Sequence, residues 1–106
     1  MNSTASPVDI KAMRAAAGRA TAMLRVLANE DRLLLLCQLT HGELSVTELE
    51  QRLDIRQPTL SQQLGVLRAC GMVSTRRAGT RIYYTIADDH ALGVLEQLYA
   101  SYCASS

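Results

Sequence analysis

Apolar positions near the start of the chain recur with the period of a helix. Ile10, Met13, Ala17, Ala20, Leu24 and Leu27 follow one another at steps of three and four, which sets them in one stripe along a helix from about 7 to 28. Ser6-Pro7 marks its start, since proline at the first helical position sacrifices no intrahelical N–H. Residues 1–5 are expected to be a frayed tail. Asn29 is placed to cap a second helix, with Glu30 and Asp31 at its positive end. The four leucines before Cys37 predict burial on most sides, and Gly42 ends the element. Ser45-Val46-Thr47-Glu48 fits a capping box and opens a short helix to about Leu53. Asp54-Ile55-Arg56 reads as a turn. Gln57-Pro58 then starts a fourth helix to about Cys70, with Leu60, Leu64 and Leu67 on one face and Gly71 as its stop.

Beyond Gly71 the period changes to two. Val73 and Thr75, then Ile82, Tyr84 and Ile86, alternate with polar or charged residues, as in two strands joined at Ala78-Gly79-Thr80. Asp88 caps a last helix carrying Leu92, Leu95, Leu98, Tyr99 and Tyr102. The expected fold is therefore mainly α with a β-hairpin wing: four helices, two strands and a fifth helix, a winged helix-turn-helix. Its 106 residues suit a single domain spanning 1–106.

The face of the fourth helix changes the picture from architecture to chemistry. It offers Gln57, Thr59, Ser61, Gln62 and Gln63 and no acid. In a helix-turn-helix the second helix enters the major groove. There glutamine bonds adenine at two points, and serine or threonine reaches bases or phosphates. An ordinary solvated helix face mixes in glutamate and lysine, which this one lacks. Charge agrees. Net charge is only +1, but residues 56–81 hold five arginines and no acid. A basic patch on an acidic body suits a polyanion. On the hairpin, Arg76, Arg77 and Arg81 flank a glycine-containing tip, placed to follow phosphates or enter the minor groove.

Apolar residues are 48% of the chain, without Phe or Trp, so a folded core rests on aliphatic side chains. Asp9, Lys11, Arg14 and Arg19 interrupt any secretory or membrane-spanning start. Three cysteines without a CxxC argue against a secreted disulfide scaffold. A cytoplasmic protein that does not bind membranes is expected. No cofactor loop or catalytic constellation is present, so no enzyme activity and no cofactor are expected.

Gln57-Pro-Thr-Leu-Ser-Gln-Gln-Leu-Gly-Val-Leu-Arg-Ala-Cys-Gly-Met-Val73, with Arg76-Arg-Ala-Gly-Thr-Arg-Ile-Tyr-Tyr-Thr-Ile86 and Leu27-Ala-Asn-Glu-Asp-Arg-Leu33, resembles the ArsR/SmtB family of bacterial winged-helix repressors. The likeness runs from about Ala20 to Cys103. It implies a homodimer on double-stranded operator DNA, joined through the first and last helices. Members of that family release DNA on a metal or chemical signal. The stretch where arsenic and cadmium sensors hold Cys-x-Cys is Glu43 to Glu48 here, without cysteine. Asp88, Asp89 and His90 begin the last-helix zinc pattern, but Ser101 and Ala104 cannot complete it, so a capping role for Asp88 is expected and no metal site.

Cys37 and Tyr102-Cys103 are similar instead to the branch that senses reactive sulfur species or oxidants through a cysteine pair. The resemblance implies Cys37 and Cys103 as sensing residues and one of those reagents as inducer. Cys70 has no matching role and reads as a small buried hydrophobe. Three alternatives remain open at this point: a thiol-based metal sensor, a thiol oxidoreductase in which His41 lowers the Cys37 pKa, and a winged helix used for protein contacts.

Overall fold

In a computed structural model, residues 7–103 are described; the expected frayed tail at 1–5 lies outside them. The elements run α1 (Pro7–Leu27), α2 (Glu30–Leu39), β1 (Leu44–Ser45), α3 (Val46–Arg52), α4 (Thr59–Ala69), β2 (Val73–Ala78), β3 (Arg81–Ile86) and α5 (Asp89–Tyr102). This is the expected winged helix-turn-helix with one strand more. β1 pairs antiparallel with β3, Leu44 opposite Tyr84, so the sheet order is β1-β3-β2. Two residues are too few to show a period, which is why the alternation left β1 unmarked.

Local signals place the helix starts. The Asn29 side chain accepts from the Arg32 N–H at 3.0 Å. Ser45 and Glu48 form the reciprocal capping box, at 2.8 and 3.2 Å. Asp88 accepts from the Ala91 N–H at 3.0 Å. Gly71 ends α4 at φ 77°, the left-handed backbone that glycine adopts without strain. The hairpin loop is two residues, Gly79-Thr80, because Ala78 pairs with Arg81. Gly79 takes φ 65° there, as a tight turn with glycine first requires.

Two expectations are corrected. α4 begins at Thr59, with Pro58 as its N-cap. Gln57 acts from outside the helix, its Oε1 accepting from the Ser61 N–H at 3.2 Å and hydroxyl at 2.6 Å. The connection from α3 therefore runs over residues 53–58, and Ile55 within it is buried at 5% exposure. Nor is α2 buried all round. Leu35, Leu36 and Leu39 enter the core, but Leu34 is 42% exposed, since successive residues 100° apart on one helix cannot all face one neighbour.

The core is aliphatic: Leu35 and Leu36 of α2, Leu49 of α3, Leu60, Leu64 and Leu67 of α4 and Leu95 of α5 are all at most 2% exposed. α2 thus lies at the centre, against both α4 and α5. α1 contributes Leu27 at its end, whereas Ile10, Met13 and Leu24 of its stripe remain exposed. No described helix is long and apolar enough to cross a membrane.

Candidate nucleic-acid interface and thiol cavity

With Leu60, Leu64 and Leu67 fixed in the core, α4 turns its other side to solvent. Ser61 and Gln62 are exposed there, Thr59 and Gln63 are half-buried, and Gln57 stands exposed just before the helix. The structure gathers all five at one end of α4 but does not leave them equivalent. Gln57 and Ser61 bond each other. The Gln63 Oε1 accepts from the Arg32 guanidinium at 3.1 Å. The Gln62 side chain is exposed and bonds no described residue.

Arg77 and Arg81 are exposed on the wing. Arg76 is not available in the same way. Its Nε and Nη2 donate to Glu43 Oε2 and Oε1 at 2.5 and 2.7 Å, and its guanidinium carbon lies 4.8 Å from the centre of the Tyr83 ring. The hydrogen bonds from Arg76 hold the Glu43 carboxyl below its ordinary pKa. Glu48 is lowered too, chiefly by its bonds from Ser45, with Arg52 and Arg81 nearby. The acid that answers the arginine-rich segment was out of sight in the sequence because Glu43 stands 33 positions before Arg76.

A second site lies between α2 and α5. A cavity of about 180 Å³ is lined by Leu33, Cys37, Leu98, Tyr99, Tyr102 and Cys103. Both cysteines are thiols. Cys37 is half-buried and Cys103 exposed. Burial, and then the proximity of Cys103, push the Cys37 thiol above its ordinary pKa. His41 does not offset this. Its ring meets the edge of Tyr99 with centroids 5.8 Å apart, and it is not among the causes acting on Cys37. Cys70, expected to be buried, is exposed at the end of α4, its thiol donating to the Val66 carbonyl at 3.0 Å. It faces out because Leu60, Leu64 and Leu67 take the core side of the helix. Among the described residues no group of three or more His, Cys, Asp and Glu could hold a metal ion.

Residues 29–75 match the family described as bacterial regulatory protein, arsR family. The chain is 52% identical over 97 residues to the biofilm growth-associated repressor of Agrobacterium fabrum, covering 92% of this chain and 83% of that one. It is 37% identical over 101 residues to the transcriptional activator HlyU of Vibrio cholerae, covering 95% and 94%. Among solved structures, reduced HlyU from Vibrio cholerae superposes with a TM-score of 0.84 at 39% identity, over 88% of this chain and 98% of that one. The transcriptional repressor BigR from Xylella fastidiosa does so at 0.82 and 45%, over 89% and 96%.

Proposed function

The chain belongs to the ArsR family of bacterial regulatory proteins, and from that premise we propose that it is a DNA-binding transcriptional regulator that leaves its operator when Cys37 and Cys103 become covalently linked. The observation that carries the sensing part is the shared apolar cavity holding both cysteines. Support for the DNA part comes from the acid-free end of α4 and from Arg77 and Arg81 on the wing.

The chemistry suits a neutral sulfur chain. The cavity walls are leucine and tyrosine, and divalent sulfur is polarizable and packs well on aromatic edges. A low-molecular-weight persulfide transfers its outer sulfur to each cysteine, leaving a thiol behind. The two protein persulfides then condense to a trisulfide and release hydrogen sulfide. Peroxide follows another balanced route: it oxidises one thiol to sulfenic acid with loss of water, and the second thiol displaces a second water to give a disulfide. A direct disulfide requires the two Cα atoms within about 7 Å, whereas a longer sulfur chain tolerates a wider gap. Either link ties α2, which packs on α4, to α5.

The experiment measures DNA affinity of the reduced protein before and after a persulfide donor, peroxide and zinc, with mass spectrometry of each product. Release with a mass gain bridging Cys37 and Cys103 is expected. Release that persists in both Cys37→Ser and Cys103→Ser, or modification of Cys70 alone, overturns the proposal. Release by zinc favours the metal sensor instead.

A further inference from the structure

Arg32 lies in the first turn of α2, its backbone N–H held by the Asn29 cap, and its guanidinium reaches three partners. Nε donates to the Val26 carbonyl at 2.7 Å and Nη2 to the Arg25 carbonyl at 3.2 Å. Both carbonyls belong to the last turn of α1, where helix carbonyls lack an intrahelical partner. Nη1 points the other way and donates to Gln63 Oε1 at 3.1 Å, across 31 positions of sequence. The two bonds to α1 are made by Nε and Nη2, which leaves Nη1 for α4.

That bond decides which end of the Gln63 amide faces outward. A guanidinium only donates, so the branch of Gln63 turned to it is the carbonyl oxygen. The NH₂ branch is then set on the side away from Arg32. α4 cannot rotate to relax this arrangement while Leu60, Leu64 and Leu67 are locked in the core. A glutamine that bonds adenine at two points must offer its NH₂ to N7 and its oxygen to the N6 amino group. Here the oxygen is held toward α2. That oxygen keeps a second lone pair, but it is turned toward α2, so the branch left to face outward is the NH₂ donor, and the major-groove edge made only of acceptors is guanine, with N7 and O6.

We propose that Arg32 is a specificity-positioning residue: by holding the Gln63 carbonyl it makes Gln63 a donor-only reader that selects guanine over adenine at one position of each half-site. This rests on α4 reading DNA as proposed above. It assigns no contact between Arg32 and DNA. Arg32 acts through Gln63.

The test is selection of duplexes from a random-sequence library by the full-length protein and its variants. Wild type is expected to enrich guanine at one position that Gln63→Ala flattens, with about tenfold discrimination lost there and the other positions kept. Arg32→Met frees the amide to turn and shifts that position toward adenine. Arg32→Lys, which also only donates, retains guanine. Adenine at the Gln63-dependent position in wild type overturns the proposal. So does a folded Arg32→Met protein that keeps its guanine, or one that loses every position equally. If circular dichroism shows Arg32→Met unfolded, Gln63→Glu decides. Its carboxylate still accepts from Arg32 but has no N–H to donate, so guanine must be lost, and guanine retained overturns the proposal. A wild-type pool with no enriched sequence removes the DNA reading itself. Enrichment with no Gln63-dependent position removes only this inference.

Discussion

Arg76 and Glu43 form a two-point ion pair that fastens the wing to the segment entering β1, with 2.5 and 2.7 Å between donor and acceptor atoms. Its sign with pH follows from Glu43. The folded-state pKa is depressed, so the pair contributes above the unfolded carboxylate value, about 4.3. That contribution is lost as pH falls through the lower folded value. Glu48 acts in the same direction through Ser45. Melting temperature should therefore drop between about pH 5 and 3, and less steeply in Glu43→Gln. Because the pair is exposed, the difference between the two proteins should be small. Identical acid profiles would show that the pair contributes nothing.

The same pair separates the wing arginines. Arg81→Ala should weaken binding to every sequence and lower the salt slope by about one phosphate contact. Arg76→Ala should leave the slope near that of the parent, because its guanidinium is already neutralised by Glu43. Measurement of log affinity against log salt for both variants checks this. Equal reductions would mean that Arg76 leaves Glu43 when DNA arrives.

Gln62 is the uncommitted glutamine of the α4 face. Unlike Gln57 and Gln63, its side chain bonds no described residue. Gln62→Ala should cost roughly 1–3 kcal/mol of specific binding if it bonds a base at two points, with nonspecific affinity unchanged. The check is competition between selected and scrambled duplexes. An unaltered ratio removes Gln62 from base reading.

These distinctions mark where the sequence was legible. Asn29, Ser45, Glu48, Asp88 and Gly71 act on backbone within a few residues of themselves, so spacing alone located them. The apolar period found the core face of α4, but on α5 it found only Leu95: Ala91, fully buried, is too small to stand out in the pattern, and Tyr99 and Tyr102 are exposed. Arg32 with Gln63 and Arg76 with Glu43 meet across 31 and 33 positions, and no local pattern encodes such pairs. Ile55 was missed for a related reason. A lone apolar residue between Asp54 and Arg56 has no period, and only its seat in the core reveals it. That Cys37 and Cys103 line one cavity was expected from resemblance alone, since a cavity between two helices has no signature in residue order.

The apolar face of α1 calls for a partner. Ile10 and Met13 are each 62% exposed, Leu24 is 48% exposed, and Tyr99 and Tyr102 of α5 are 43% and 78% exposed. A second copy covering α1 and α5 would bury this surface at a gain of about 25 cal/mol per Å². The two copies of α4 would then stand about 34–36 Å apart, facing successive major grooves. Light scattering at micromolar concentration should give a dimer. Met13→Glu with Leu24→Glu should give a monomer that retains its helical circular dichroism but binds an inverted repeat far more weakly. A monomeric parent protein would contradict the assembly.

Burial sets the order in which the thiols are expected to react. The thiolate is the nucleophile, and Cys37 is pushed above its ordinary pKa by burial and then by Cys103. At neutral pH little Cys37 is ionised, and its half-buried position hinders attack further. Cys70 and Cys103 are exposed, so iodoacetamide at pH 7 should label both well before Cys37. As pH rises past the ordinary thiol value, 9.0, the lag of Cys37 should narrow. Stability should move with the same titration. A raised folded-state pKa means the folded form holds the proton more tightly. The contribution is therefore fully present below the unfolded value and is lost as pH climbs through the folded one. The parent should lose melting temperature above about pH 9 more steeply than Cys37→Ala does. Peptide mass spectrometry of timed, quenched samples reads the order directly. If Cys37 is labelled first at pH 7, its thiol is activated rather than suppressed, and attack on the inducer begins at Cys37. If Cys37 lags as expected, the proposed link starts at the exposed Cys103, and Cys37 reacts second from the cavity side.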